Sequence, residues 1–436
     1  MIITDGLTDG GRSDSAAQRA AAELLAGRTR VTIMAAMSPQ QPTTSIAALL
    51  SEARRRDISV RLLVADLSGA FAFLDAESEN DLKTGSLEIV VIAGSAPRRL
   101  ADLVDCLPIS LWDADRLLGS GKLPCDIYAV RVAGIASGML DLGNMVAFTP
   151  GLARRPGVRM LVEVSTGNEY DSGRSTLPLE GMDCVIWHDL TPVKRSVMLP
   201  PVADPIQDAI ARNVAGLVPD TATVQLGMGR IADTLADILA ARRRIGLHSG
   251  TLPRGALAPI REGAFRGPGK SVDQGLQVAT GLAINAGPGP WGNTIRLRPI
   301  SETHDPVLLA KHARLWAINS AFQIDLFGQV NAEWMHGARL ASGGGQTDFL
   351  RAAHQSPGGA AVLALPSRSS RGEPRITAQL SAPGVVTTTG NDLDFVVTEY
   401  GVADLRGISL HTRRERIASV AHPDDRSALL ASGDAT

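Results

Sequence analysis

Short runs of β-branched and aliphatic residues recur along this chain, and a helical stretch separates each run from the next. Val31-Thr32-Ile33-Met34 reads as a strand, and Ser45 to Arg56 as a helix with Ile46, Leu49, Leu50 and Ala53 on one face. Val60 to Val64 and Leu87 to Ile92 are the next strands, followed by Asp126 to Val130 and Arg159 to Val164. Strands joined through single helices form βαβ units and a mostly parallel sheet. The pattern breaks at Leu199-Pro200-Pro201-Val202-Ala203-Asp204-Pro205 and then restarts. After the break come a helix from Gln207 to Leu217, a strand from Thr223 to Leu226, a helix from Ile231 to Arg242 and a strand from Arg244 to His248. The fold class expected is α/β: two similar-sized open α/β domains, 1–203 and 204–436, with a cleft between them. Open sheets of this kind bind ligands at the carboxyl ends of their strands.

The length of 436 residues suits two such domains. Aromatic residues are only 4% of a chain that is 44% hydrophobic, so Ala, Val, Leu and Ile must build the core. A formal charge of −2 carries no partner signal. The basic runs Arg54-Arg55-Arg56 and Arg242-Arg243-Arg244 close helices, where the helix dipole favours cations, so they read as solvated helix ends and no nucleic acid is expected. Cys106, Cys125 and Cys184 lie far apart, which gives neither a zinc knuckle nor a disulfide framework, and no metal is expected. The N-terminus, Met1 to Gly6, has no basic and apolar leader, and no apolar run approaches the roughly 18 residues that span a bilayer. A cytoplasmic enzyme with no membrane association is the expectation.

Val224-Gln225-Leu226-Gly227-Met228-Gly229-Arg230-Ile231-Ala232 combines a strand, a Gly-x-Gly turn and a helix start. Glycines let the backbone approach a ligand, and the N–H groups of a helix N-terminus favour anionic oxygens. The same letters fit Gly-x-Gly-x-x-Ala, which would make a dinucleotide-binding protein. That reading needs a carboxylate about 20 residues on, at the end of the next strand. The strand from Arg244 to His248 ends instead in Ser249-Gly250, which disfavours a nicotinamide cofactor. A turn that serves only the fold is the other alternative.

Four further segments then occur in order: Asn319 to Glu333, Gly344-Gly345-Gln346-Thr347-Asp348-Phe349, Val396 to Gly407, and Ala421-His422-Pro423-Asp424. Together with the Gly227/Gly229 turn they resemble the C-terminal half of the acetyl-CoA hydrolase/transferase family, which includes 4-hydroxybutyrate and butyrate:acetate CoA-transferases. The resemblance implies CoA bound mainly by the C-terminal domain, the acyl group at the domain interface, and a homo-oligomer, a dimer. It implies that Gln225, Leu226, Gly227, Met228 and Gly229 lie against the thioester and pantetheine end. Gly344, Gly345 and Gln346 would form a second wall, and backbone N–H groups of this kind stabilise a thioester oxyanion. Asn319, Asp325, Glu333, Glu399 and His422 read at least as well as residues that hold the domain together.

In family members that transfer CoA, a glutamate follows a His-Ser/Thr pair and carries CoA as a glutamyl thioester. Here the segment is Leu247-His248-Ser249-Gly250-Thr251, so glycine stands at the position of the nucleophile. Ser356-Pro357-Gly358-Gly359-Ala360 likewise departs from the Gly-Gly-Lys of many relatives. One reading is an acyl-CoA hydrolase or acyltransferase in which water or a small acceptor takes the acyl group, with His248 and Ser249 beside the vacated position and His248 the candidate base. The alternatives are a non-catalytic acyl-CoA-binding homologue or partner subunit, a CoA-transferase carrying an inactivating Glu-to-Gly change, and a nucleophile relocated to Glu262 or Glu333.

Overall fold

The computed structural model describes residues 2–4, 12–39, 41–165, 175–188, 204–242, 244–283, 294–380 and 384–431. Most of the proline-rich segment read as a linker, Leu199 to Ala203, lies outside them. The strand and helix alternation appears twice. In the first half, strands β1 (Ile2–Thr4), β2 (Arg30–Ala35), β3 (Ser59–Asp66), β4 (Leu87–Gly94), β5 (Asp105–Cys106), β6 (Ile127–Val132), β7 (Arg159–Ser165) and β8 (Cys184–His188) form one eight-stranded sheet. Its order is β1-β8-β7-β6-β2-β3-β4-β5. In the second half, β9 (Thr223–Leu226), β10 (Gly246–Leu252), β11 (Gln277–Leu282), β12 (Ile295–Leu297), β13 (Leu315–Asn319), β14 (Ala360–Ala364), β15 (Phe395–Thr398) and β16 (Gly401–Asp404) form another. That order is β12-β11-β10-β9-β13-β14-β15-β16. Among the described residues every neighbouring pair in the two sheets is parallel except β15 with β16.

Parallel strands covered on both faces need apolar residues at successive positions. The runs Leu62-Leu63-Val64 and Ala361-Val362-Leu363 are buried throughout. Helices α1 (Arg12–Leu24), α2 (Thr43–Arg55), α3 (Leu111–Ser120), α4 (Pro205–Leu217), α5 (Arg230–Ala240), α6 (Arg254–Arg261) and α7 (Gln346–Gln355) supply many of the crossovers. The predicted face of α2 is the buried one, with Ile46, Leu49, Leu50 and Ala53 inside. The arginine runs are less solvated than expected. Arg54 reaches Asp75, Glu77 and Asp81, and Arg242 donates to the carbonyls of Val218 and Ala215 at the end of α4.

In the second sheet the sequence order reverses between β9 and β13, which opens a crevice at their carboxyl ends. The halves do not stand apart. One apolar cluster runs from Met34, Leu63 and Tyr128 in the first sheet to Val224, Leu247 and Val362 in the second. Val146 N–H donates to Thr280 O at 2.9 Å and Leu282 N–H to Asn144 O at 2.8 Å, an antiparallel exchange at the end of β11. A second clasp joins the start of α3 to that of α7. Leu111 N–H donates to Gly344 O at 3.0 Å, and Trp112 N–H to Asp348 Oδ2 at 3.2 Å.

Burial pushes the Asp348 carboxyl up to about 7, against the opposing pull of its hydrogen bonds from Ser110 and Trp112. A carboxyl raised in the fold binds its proton more tightly there than in the unfolded chain. Its contribution to stability is present at acid pH and is lost as pH rises from about 4 through about 7. The expected outcome is that D348N flattens this part of the stability–pH profile in urea titrations. An unchanged slope would show that Asp348 titrates normally.

Candidate functional site

Strand β10 is longer than the sequence suggests. It begins at Gly246, where the Lys270 stem packs against the backbone, and it continues through Ser249, Gly250 and Thr251 to Leu252. Gly250 therefore lies within the strand, in an extended conformation, and not in a loop beyond it. Lys270 Nζ donates to Leu247 O and Leu276 O, at 3.0 and 2.9 Å, which pins the underside of β10; burial lowers its pKa to about 8.

What faces Gly250 is an imidazole. A methyl group placed on Gly250 would lie 3.1 Å from His304 Nε2, 3.4 Å from its Cε1 and 3.7 Å from Phe349 Cε2. One placed on Gly345 would lie 2.5 Å from His304 Nε2, 2.7 Å from its Cδ2 and 3.5 Å from Leu111 Cδ1. The ring is thus wedged between two glycines, one on β10 and one at the start of α7, with Phe349 edge-on at 4.8 Å between centroids. Leu111 comes from the first half, so the site lies where the halves meet. No periodic or motif signal marks His304 in the sequence, and it was missed there.

His304 follows a short helical turn, Ile300–Thr303, that lies against β10. Its Nδ1 is 2.8 Å from Thr303 Oγ1, which in turn is 3.2 Å from Pro299 O. The ring's hydrogen bond is made through Nδ1. Burial lowers the pKa of His304 to about 3, so the ring is neutral over the ordinary pH range.

The other predicted residues divide clearly. His248, the candidate base from sequence, is 3% exposed and donates from Nε2 to Thr303 O at 3.1 Å. Its Nδ1 has no partner, and its ring lies 4.5 Å from that of His312. Burial holds it well below the usual histidine range. It supports the turn that carries His304 instead of facing the cleft. Ser249 is equally turned in: its hydroxyl serves Leu226 O at 2.9 Å and Thr251 O at 3.1 Å. In the glycine turn, Gly227 N–H is already given to Ile318 O at 2.9 Å, so it is not the free donor expected. Gln225 and Asn319 exchange amide hydrogen bonds of 2.8 and 3.3 Å beneath that turn, and both are buried. Leu226 is buried as well, and Met228 is exposed at 54%. Gly229 caps α5 at φ +108°, and Gly345 caps α7; neither helix has a side-chain cap. Gly344, at φ +57°, has open space beside it, and Gln346 Nε2 reaches Thr388 Oγ1 at 3.4 Å.

Neither alternative carboxylate is among the atoms nearest Gly250, although Glu333 Oε1 would lie 3.4 Å from a methyl group on Gly343. Glu262 is an exposed C-cap of α6, and Glu333 pairs with Arg339. Asp325 accepts from Phe327 and Gln329 in its own turn, and Glu399 holds Ser367; both are structural. Among the described residues no group of three or more His, Cys, Asp or Glu is placed to hold a metal, and no helix is long and apolar enough to cross a membrane.

Comparison with known proteins decides the family. Residues 292–432 match the acetyl-CoA hydrolase/transferase C-terminal domain. The 4-hydroxybutyrate coenzyme A transferase of Clostridium kluyveri is 30% identical over 336 residues, which cover 75% of this chain and 76% of that one. The chain belongs to the acetyl-CoA hydrolase/transferase family. An acetyl-CoA hydrolase of Yarrowia lipolytica is 39% identical over a shorter stretch of 119 residues, 26% of this chain and 22% of that one. RipA from Yersinia pestis shares the fold with a TM-score of 0.82 at 26% identity, over 97% of this chain and 99% of that one.

The packing around His304 gives a direct check. Overpacking of a filled site costs about 1–3 kcal/mol. We expect G345A to destabilise the protein by that order and G250A by less, because the Gly345 contact is closer. Removing the ring in a G345A/H304A pair should recover most of the loss, a coupling that denaturant midpoints measure. Additive effects would contradict the wedge.

Proposed function

We propose that this chain binds the CoA thioester of a small organic acid in the crevice beside β10 and passes its acyl group to water or a small acceptor without a glutamyl-CoA intermediate. The observation that carries the reading is the pairing of Gly250 with His304. A carboxylate that takes up CoA must stand at the thioester, and at Gly250 the volume is filled by a neutral imidazole and Phe349. Family membership supports acyl-CoA as the ligand. The uncapped starts of α5 and α7 support it further, since free N–H groups at a helix N-terminus favour the oxygens of a polarised thioester and of phosphate. Gly229 and Gly344 have open space beside the backbone, Gly345 is covered by the His304 ring, and Gln225 and Gly227 support the turn from below.

Binding is tested by thermal denaturation with acetyl-, butyryl- and 4-hydroxybutyryl-CoA. A ligand at one hundred times its Kd stabilises the fold by about 2.7 kcal/mol. Bulky substitution at Gly229 should remove that shift, at a cost of about 1–3 kcal/mol to the unliganded fold because φ there is +108°. A shift with NAD and none with the CoA esters would restore the dinucleotide reading.

Chemistry is tested by trapping. Incubation with acyl-CoA and labelled acetate, followed by borohydride or hydroxylamine, should give no protein–CoA adduct, while free CoA accumulates slowly. An adduct on Glu262 or Glu333 would overturn the reading. G250E alone should fold poorly, because its side chain meets His304. G250E combined with H304G removes that obstacle and is the variant in which carboxylate exchange should appear.

A further inference from the structure

We propose that His304 is the general base of this site, accepting a proton at Nε2 from the water that attacks the thioester. The inference rests on the acyl-CoA reading above and deepens it by naming water as the acceptor.

The hydrogen bonds around the ring set its tautomer. The Thr303 hydroxyl has one proton, and the Pro299 carbonyl 3.2 Å away can only accept it. The same oxygen then accepts Nδ1–H of His304 at 2.8 Å. This assignment leaves the lone pair on Nε2, the nitrogen that faces Gly250 and Gly345, while the ring's hydrogen bond is made through Nδ1. A nitrogen aimed between two glycines, with its ring fixed by Thr303 and Phe349, has the pre-set orientation a general base requires. His248 lacks it. Its Nε2 proton is committed to Thr303 O, and its free nitrogen is buried against His312.

The step balances without a further reactant. The water oxygen bonds to the thioester carbonyl carbon as its proton passes to Nε2. The C–S bond then breaks, and the proton is returned to the CoA sulfur, giving a free acid and CoA thiol. Burial keeps the ring neutral but also lowers its pKa to about 3, so it is a weak base until charge develops in the transition state. Negative charge growing on the thioester oxygen favours the imidazolium that forms. The ring also occupies the space a second carboxylate substrate would need next to Gly250, which favours water over carboxylate exchange.

The proposal is tested on the full-length protein in two ways. In nitrogen-15 NMR at neutral pH, with the His304 signals identified by their loss in H304Q, the ring should be the neutral tautomer protonated at Nδ1. Protonation at Nε2 would overturn the proposal whatever the substrate. In assays with acetyl-, butyryl- and 4-hydroxybutyryl-CoA, H304Q should lower the rate of CoA release by roughly 10²–10⁴-fold, the usual worth of a general base, and leave the acyl-CoA-induced melting shift in place. T303V should lower the rate as well, T303S should keep it, and added imidazole should partly restore H304G. Wild-type rates in H304Q would make His304 a filler of the slot and sink the proposal. If the wild type binds acyl-CoA and releases no CoA, the transfer reading itself fails and His304 loses its role with it. If no ester shifts the melting curve, the failure lies earlier, in the binding assignment.

Discussion

The antiparallel exchange between residues 144–147 and the end of β11 fixes everything else about the cleft. Most of the contact between the two sheets is made by apolar side chains, which are strong but non-directional. Here the backbone of the first half enters the second sheet through Val146 and Leu282, and Met145 packs over Gly281, where a side chain would block it. Ala147 sits at φ +41°, a conformation costing a non-glycine residue on the order of 1–2 kcal/mol. Its carbonyl then accepts Ile300 N–H at 3.2 Å. The turn that ends in His304 is therefore anchored to the first half, although every residue in it belongs to the second. With α3 set on Gly344 by Leu111 N–H, the site is assembled by interface hydrogen bonds and not by one domain alone.

The pairing of a bare strand position with a ring follows from close packing. An interior has no room for a residue and its neighbour to enlarge together. A glycine in extended backbone on β10 is not there for its conformational freedom. Its use is the space it yields, and His304 takes that space from one side while Gly345 yields it from the other. The pair of glycines and the histidine thus form one packing unit, drawn from three separate stretches of sequence.

Much of the fold was legible because its elements carry local signals. β-Branched runs buried on both faces, the apolar stripe of α2, and the Gly-x-Gly turn between β9 and α5 are all readable from neighbours in the chain. The misreadings also have local causes. β10 was ended at His248 because Ser249-Gly250 looks like a stop, yet parallel pairing with β11 carries the strand to Leu252. Gly227 was taken as a free donor because its acceptor, Ile318 O, belongs to a strand ninety-odd residues away that a sequence does not place. Gln225 pointed to a ligand, and Asn319 claims it by the same long-range register. His304 was invisible for a different reason. Nothing in Ser301-Glu302-Thr303-His304 shows that its ring will stand above a glycine on another strand.

The two histidines show how such a site selects its chemistry. Each is buried and neutral, so the difference between them lies wholly in which nitrogen is committed. Thr303 serves both: its carbonyl accepts from Nε2 of His248, and on the proposed tautomer its hydroxyl accepts from Nδ1 of His304. One residue thereby closes the outward nitrogen of the first ring and frees that of the second. His248 stands in the His-Ser pair that the resemblance singles out, yet it is His304 whose Nε2 lies against the glycine wall. Similarity gives the family and the fold; on the proposed reading, the distribution of protons between the two rings determines which side chain is able to act.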